Sequence, residues 1–190
     1  MSRVIAGSAG GRRLAVPPGR GTRPTSDRAR EGIFSTVGSL FGSLEGSRVL
    51  DLYAGSGALG LEAASRGAAS VTLVDHSVRA ATACRKNAAH ILKSAPKGHA
   101  VTVDVSSSPV QAFVSGARQF WDVVFLDPPY ELGNAEVAHN LAALVPRLAP
   151  DAVVVLERSS RDAAPALPEG LELDRRKDYG DTALYWLSLA

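Results

Sequence analysis

Apolar and polar positions follow one another along the chain in blocks that predict strands and helices in alternation. From residue 48 onward, short runs rich in Val and Leu have the length and composition of buried strands. Segments with the apolar spacing of helices lie between them. Strands separated by helices predict an α/β fold with a mostly parallel, doubly wound sheet. The predicted strands are residues 49–53, 71–74, 101–103, 122–126 and 153–156, and the predicted helices are residues 59–65, 78–92 and 135–148.

The C-terminal segment departs from this alternation. Residues 171–177 and 183–187 have strand-like patterns and are separated by Tyr179-Gly180-Asp181, an arrangement typical of a hairpin. We expect this hairpin to add an antiparallel strand to the parallel sheet, which makes the sheet mixed.

The N-terminal segment is predicted to form a small extension. Short apolar runs at residues 4–6 and 14–16 flank a pair of glycines, which predicts a β-hairpin, and a linker rich in Pro and Gly follows. Capping residues at positions 25–27 then predict the start of a helix that runs to about Leu40. We therefore assign residues 1–24 to a hairpin and linker, and residues 25–190 to the main domain.

Positive charge is concentrated at the N-terminal end. Residues 1–30 hold seven arginines and one acidic residue, Asp27, which gives a net charge of +6. The rest of the chain holds 14 basic and 18 acidic side chains, a net charge of −4. This segregation indicates a polyanionic partner for the N-terminal segment. A solvated arm without a partner is the alternative.

The composition also excludes several classes of protein. Cys84 is the only cysteine, so disulfides and thiolate metal sites are excluded, and we expect it to be a small core residue. The four histidines have no metal-ligand spacing, and we expect no metal. We find neither a signal peptide nor an apolar run of membrane-spanning length, and we expect a cytoplasmic location.

A glycine-rich loop between the first predicted strand and its helix is the first candidate binding site. Gly55-Ser56-Gly57-Ala58-Leu59-Gly60 is a G-x-G-x-x-G sequence, in which glycines allow a tight turn and close approach of a ligand. Asp51 lies within the preceding strand. Asp75 ends the second predicted strand, where a carboxylate can accept hydrogen bonds from ribose hydroxyls. A purely structural glycine turn, with Asp75 as a helix N-cap, is the alternative.

A third acidic residue extends this candidate site. Asp104 ends the third predicted strand. In a doubly wound sheet that position faces the base of a nucleoside bound across the second strand. A solvated strand end is the alternative interpretation.

The candidate catalytic segment is Asp127-Pro128-Pro129-Tyr130, which follows the apolar fourth strand. The carboxylate of Asp127 and the carbonyl of Pro128 can each accept a hydrogen bond from a planar amine. Those bonds would orient its lone pair for transfer of a group to nitrogen. The ring of Tyr130 can stack on a base turned out of its helix. A simple proline turn is the alternative, and the nearby glycine loop argues against it.

Together these motifs resemble the class I S-adenosylmethionine-dependent methyltransferases, whose fold is Rossmann-like. The resemblance implies S-adenosylmethionine as the cofactor, with Asp51 near its methionyl amino group and Asp75 at its ribose. Asp104 and Val105 would flank the adenine. The cofactor-binding residues implied by the resemblance are Asp51, Tyr53, Gly55, Ser56, Gly57, Asp75, His76, Asp104, Val105 and Asp127.

The N-terminal segment resembles, more closely, the RsmD family of bacterial 16S ribosomal RNA guanine-N2 methyltransferases. The matching stretches are residues 3–7, 21–31 and 179–182, and the resemblance covers nearly the whole chain. It implies that the target is the guanine usually numbered 966, methylated within a small-subunit ribosomal particle. We expect a monomer that binds this RNA through its N-terminal arginines, namely Arg3, Arg12, Arg13, Arg20 and Arg23.

Other functions remain open at this point. The same tetrapeptide serves enzymes that methylate adenine or cytosine in DNA, or glutamine in proteins. A nucleotide-binding or RNA-binding module without catalysis is a further alternative. A nicotinamide-dependent enzyme fits less well, because it gives no role to Asp127-Pro128-Pro129-Tyr130.

Overall fold

A computed structural model describes residues 2–19 and 25–190 of the chain. Strands and helices alternate through most of its length, as the apolar pattern predicts. None of its described helices combines the length and the apolar character that crossing a membrane requires. In chain order the elements are β1 (Ser2–Arg3), β2 (Arg13–Leu14), α1 (Asp27–Leu40), β3 (Arg48–Leu52), α2 (Ala58–Ser65), β4 (Ser70–Asp75), α3 (Val78–Leu92), β5 (Thr102–Ser107), α4 (Val110–Gly116), β6 (Trp121–Leu126), α5 (Asn134–Leu144), a 3₁₀ turn (Val145–Arg147), β7 (Leu148–Ser159), β8 (Leu171–Tyr179) and β9 (Thr182–Leu189).

The main sheet within the described residues has seven strands in the order β5-β4-β3-β6-β7-β9-β8. The first five strands are parallel, β9 is antiparallel to β7, and β8 is antiparallel to β9. The predicted α/β fold with a mixed, mostly parallel sheet is therefore confirmed. The C-terminal hairpin contributes two antiparallel strands to it, of which β8 forms the edge.

Helices cover both faces of the sheet, so the sheet is doubly wound. In β6, Val123 and Phe125 point into a core shared with α1, α2 and α3, whereas Val124 and Leu126 point into a core shared with α4 and α5. This two-residue alternation is the strand period expected for a sheet buried on both sides. Cys84 is a buried residue of the first core, as predicted.

The N-terminal hairpin packs against the first core through buried apolar side chains, among them Val4 and Leu14. Its strands are shorter than the predicted runs 4–6 and 14–16, and only Ser2–Arg3 and Arg13–Leu14 pair. The reason lies in α2, where the buried carboxylate of Glu62 accepts hydrogen bonds from the backbone N–H groups of Ile5 and Ala6, at 2.7 and 3.0 Å. Those donors are therefore not available to a partner strand.

The region after α3 differs most from the sequence-based expectation. Strand β5 extends to Ser107, and α4 was not predicted at all. Asp104 pairs with Thr72 in the middle of β5, so its predicted place at a strand end is wrong; Ser107 stands opposite Asp75 instead. The hydrogen bonds between strands are made by backbone groups, so a strand can continue through polar residues. The apolar pattern of the sequence does not mark such a continuation.

The helix predicted over residues 135–148 begins at Asn134 and ends at Leu144, followed by the 3₁₀ turn. Strand β7 then begins at Leu148 and runs for 12 residues, well beyond the predicted run 153–156.

Candidate active site

A cleft of ≈ 970 Å³ lies at the sheet edge where the carboxyl ends of β3, β4, β6 and β7 meet. Residues 16–19 of the N-terminal segment and the start of α1 also line it. Ligands of open parallel sheets bind at this edge. The predicted site residues that line the cleft are Asp51, Tyr53, Gly55, Ser56, Asp75, His76, Asp127, Pro128 and Tyr130.

The structure does not bring every predicted residue into the cleft. Asp104 and Val105 are absent from its lining, because both precede the end of β5. Gly57 caps α2 just behind the lining. Arg20 and Arg23 lie outside the described residues, so the prediction for them stays a prediction.

The glycine loop has the backbone conformation that its sequence predicts. Gly55 and Gly57 have φ angles of +59° and +82°, in the left-handed region that side chains rarely adopt. A Cβ atom on Gly60 would lie 2.4 Å from Leu73 Cδ2, so a glycine there lets α2 pack closely on β4. The loop therefore presents bare backbone to the cleft.

Asp75 holds this loop from the neighbouring strand. Its two carboxylate oxygens accept hydrogen bonds from the backbone N–H groups of Gly55, at 3.0 Å, and Ser77, at 2.9 Å. The N-cap of α3 is Ser77, whose hydroxyl accepts from the N–H of Ala80, so the alternative that Asp75 is the cap is wrong. Each oxygen of Asp75 keeps a lone pair for a ligand, and the residue lines the cleft.

Asp51 is buried beneath the loop, with 1% of its surface exposed. It accepts a hydrogen bond of 2.9 Å from the backbone N–H of Gly60. The pKa of Asp51 is raised to about 7: burial is the main cause, the Gly60 hydrogen bond opposes it, and the charge of Asp75 adds to the rise. A cation bound in the cleft would favour the ionised form of this carboxyl.

Asp127 has a carboxylate neighbour that was not predicted from the sequence. Leu126 of β6 pairs with Leu156 of β7, so Asp127, directly after β6, and Glu157, within β7, lie side by side. The hydroxyl of Thr25 lies 3.0 Å from Glu157 Oε2 and 3.5 Å from Asp127 Oδ2. Burial, and then the charge of Glu157, raise the pKa of Asp127 well above its usual range, and burial also raises the pKa of Glu157. The signal available in the sequence was an acidic residue directly after the apolar run of residues 153–156.

The next residue, Arg158, holds the tetrapeptide loop from the other side of β7. Its side chain is buried, and Nη2 donates to the carbonyl oxygen of Leu132 at 2.6 Å, whereas Nη1 donates to that of Pro129 at 3.5 Å. A buried guanidinium bound to loop carbonyls fixes the loop as a rigid unit. This role of Arg158 was not predicted from the sequence.

Two tyrosines at the cleft are fixed through their hydroxyl groups. Asn140 donates to the hydroxyl oxygen of Tyr53 at 2.7 Å, and Tyr130 shares a hydrogen bond of 3.3 Å with Thr182. Tyr130 remains 41% exposed, so its ring is accessible at the mouth of the cleft. An exposed aromatic ring beside a candidate amine clamp suits stacking on a base.

Asn87 of α3 joins the N-terminal segment to the glycine loop. Its amide nitrogen donates to the carbonyl oxygens of Ala15 and Ser56, both at 2.8 Å, and its Oδ1 accepts from the N–H of Ala15 at 2.8 Å. This role of Asn87 was not predicted from the sequence either. It couples the position of the arginine-rich segment to the loop.

A second, basic groove of ≈ 600 Å³ runs between β2 and α3. Arg13, Lys86, His90 and Lys93 contribute its charged and titratable side chains. Among the other N-terminal arginines, Arg3 forms an ion pair with Asp27 at 3.2 Å. The groove therefore extends the positive N-terminal segment onto the main domain.

Fold and site together define a Rossmann-like α/β protein of the class I methyltransferase type. The family model described as "Conserved hypothetical protein 95" matches residues 2–188. The chain is also 34% identical to ribosomal RNA small subunit methyltransferase D of Escherichia coli over 181 residues, which cover 95% of this chain and 86% of that protein. The chain therefore belongs to the ribosomal RNA small subunit methyltransferase D family.

Solved structures support the same assignment. The Escherichia coli protein YhhF has 34% identity and a TM-score of 0.77, with 99% of this chain and 97% of that chain covered. A hypothetical protein of Thermus thermophilus has 28% identity and a TM-score of 0.81, with both chains covered completely. The resemblance to the RsmD family inferred from the sequence is thereby confirmed.

Proposed function

We propose that this protein transfers a methyl group from S-adenosylmethionine to the exocyclic N2 amine of a guanine in 16S ribosomal RNA, within small-subunit particles. The observation that carries the proposal is the presence of the Asp127-Pro128-Pro129-Tyr130 segment and the glycine loop on one cleft, in a chain of this family. The cleft offers an amine clamp and a nucleoside site side by side.

The described residues fit S-adenosylmethionine. The bare backbone of the glycine loop leaves room beside Gly55, where a Cβ atom would meet no other atom within 4 Å. Asp75 has free lone pairs for ribose hydroxyls, and Asp51 favours the cationic methionyl amino group. When bound, the cofactor supplies a methyl group that is already activated on a sulfonium.

The residues of the chain then need only position the amine. Asp127 and the carbonyl of Pro128 accept its hydrogens, which points its lone pair toward the methyl carbon. Arg158 keeps the loop rigid through the carbonyl of Pro129. Tyr130 offers a ring on which the extruded base can stack.

Phosphate binding is assigned to the N-terminal segment and the basic groove. Arg12 and Arg13 of the hairpin, with Lys86 and Lys93 of α3, supply positive charge at one side of the molecule. Arginine binds phosphate through two parallel hydrogen bonds and keeps its charge at all relevant pH values. Neutralisation of several phosphates makes such binding weaken steeply with salt.

The test is methyl transfer from labelled S-adenosylmethionine to naked 16S RNA, to small-subunit particles lacking the modification, to duplex DNA and to a glutamine peptide in parallel. We expect incorporation into the ribosomal substrates, and nucleoside analysis should identify N2-methylguanosine. Incorporation into DNA or a glutamine peptide alone would contradict the RNA assignment. Incorporation into RNA as another methylated nucleoside would contradict the N2 assignment.

A further inference from the structure

Glu157 lies beside the proposed amine clamp, although no motif contains it. It is 6% exposed, lines the cleft, and shares the hydroxyl of Thr25 with Asp127. The pairing of Leu126 with Leu156 places the two residues that follow them next to each other. The cleft therefore presents two adjacent carboxyl groups where an amine is expected.

Glu157 is buried and Asp127 is partly buried, and placing two carboxyl groups together in this way is costly unless a ligand uses them. A buried cation at the same cleft, Arg30, points to the same conclusion. Arg30 lines the cleft with 1% of its surface exposed, and its Nε and Nη1 atoms have no hydrogen-bond partner among the described residues, although Nη2 binds Asp27. Buried donors and acceptors of this kind are normally satisfied, so a bound molecule is expected to contact them.

The arrangement of donors on the target base decides which molecule suits two adjacent carboxyl groups. Guanine carries an N1–H donor directly beside its N2 amine. In adenine and cytosine the ring nitrogen beside the amine is an acceptor, and a glutamine side chain has a carbonyl there. A second carboxylate would face a lone pair in each of these three cases, which is unfavourable in a buried site.

We propose that Glu157 is the specificity-determining residue of the cleft, accepting the N1–H of guanine while Asp127 accepts a hydrogen of the N2 amine. This inference rests on the proposed function and identifies the feature that selects guanine. It also gives a role to the second carboxyl group beside Asp127.

The transfer step balances with the groups present. The N2 nitrogen forms a bond to the methyl carbon with its lone pair, as the carbon–sulfur bond breaks and sulfur keeps that electron pair. The positive charge that develops on N2 is lost as a proton to the ionised carboxyl group of Asp127, which later releases it to solvent. Glu157 keeps its hydrogen bond to N1–H throughout.

The test replaces the target guanosine by 2-aminopurine, which has the same amine but an acceptor at N1. The RNA is transcribed, ligated and assembled with each base, and kcat/KM is measured for the wild type and for Glu157→Gln. We expect the wild type to prefer guanosine by about 10²-fold, since an unpaired buried acceptor costs about this much. The glutamine amide can donate to the N1 acceptor, so in the variant this preference should fall to about 10-fold or less.

The ratio of kcat/KM for guanosine to that for 2-aminopurine, compared between wild type and variant, separates recognition of the base by Glu157 from a merely structural role. A structural defect would lower kcat/KM for both bases and leave their ratio unchanged, and that result would overturn the inference. Equal use of both bases by the wild type would overturn it too, and this result does not depend on the variant folding. Glu172→Gln, the same change on the exposed edge strand β8, is the control and should keep the wild-type ratio. Failure of the wild type to methylate the guanosine substrate would instead contradict the proposed function itself.

Discussion

Replacing Asp51 by asparagine is expected to stabilise the ligand-free protein and to weaken its binding of S-adenosylmethionine. Asp51 is buried, and its pKa is raised from 3.8 to about 7. The asparagine side chain has nearly the same shape, and its Oδ1 can still accept the hydrogen bond from the N–H of Gly60. The substitution therefore removes the charge and preserves the packing.

The size of the expected gain in stability follows from the difference between the pKa of Asp51 in the folded protein and its pKa in the unfolded chain. The folded protein holds the proton more tightly, so stability is present at low pH and is lost as the pH rises from about 4 through about 7. The shift of about 3 units corresponds to about 4 kcal/mol once the pH exceeds the folded pKa. Asp51→Asn should raise the free energy of unfolding by about 4 kcal/mol at about pH 8 and by under about 1 kcal/mol at about pH 4.

Urea unfolding of the ligand-free wild type and variant at both pH values measures this difference. A gain of this size corresponds to a rise of roughly 10 °C in Tm for a chain of this length. Asp151→Asn, which changes an exposed carboxylate in β7, is the control and should leave stability unchanged. No gain at high pH, or the same gain at both pH values, would refute the argument that a buried charge destabilises the protein.

The same substitution should weaken the binding of S-adenosylmethionine. Asp51→Asn removes the charge that favours the methionyl amino group, so we expect its affinity to fall by about 10²-fold, as for loss of one partner of a buried charged pair. In the wild type, affinity should rise between about pH 5 and about pH 7, as Asp51 ionises, and titration calorimetry should detect proton release on binding. An unchanged affinity in the variant would remove Asp51 from the cofactor site.

Three further predictions concern the amine clamp, the RNA-binding arginines and the glycine loop. Asp127→Ala should lower the methyl-transfer rate by about 10²-fold or more while cofactor binding by calorimetry is largely retained; near-normal turnover would exclude Asp127 from the mechanism. The double variant Arg12→Gln, Arg13→Gln should bind RNA more weakly. The slope of log affinity against log salt concentration should become shallower by about 1 for each phosphate that is no longer neutralised. An unchanged slope would contradict phosphate binding at these positions. Asn87→Ala should cost about 1–3 kcal/mol of stability in urea unfolding and weaken cofactor binding, because the carbonyl of Ser56 loses its buried donor; a fully stable variant with normal affinity would show that this link is dispensable.

The structure also changes how the role of the N-terminal segment can be tested. Deletion of residues 1–20 would be the direct test of RNA binding by this segment. However, Val4 and Leu14 are buried in the core of the main sheet, and Glu62 binds the backbone of the hairpin. A deletion would expose that core and leave the carboxylate of Glu62 without these backbone donors. Single arginine substitutions therefore separate RNA binding from folding more cleanly.

Local patterns in the sequence determine much of the fold and part of the site. Helix α3 begins and ends at the predicted residues, because its apolar spacing and its capping serine are both local signals. The glycine loop and the tetrapeptide are local signals as well. Each consists of consecutive residues, and the backbone conformation that they require can be predicted without the rest of the chain. The positions of Asp51, Asp75 and Asp127 at one sheet edge follow once a parallel sheet is inferred.

Local patterns fail where backbone bonding or strand order decides the outcome. The polar end of β5 pairs through its backbone, which is why Asp104 was misplaced. The link from Thr25 to Asp127 and Glu157 spans 102 and 132 residues of sequence, and no periodicity in the chain encodes it. It exists because β7 pairs with β6 in a register that sets the two carboxyl groups side by side, and because α1 begins over that edge. The sequence thus indicates a methyltransferase by itself, whereas the pair of carboxyl groups proposed to select guanine is a product of tertiary structure alone.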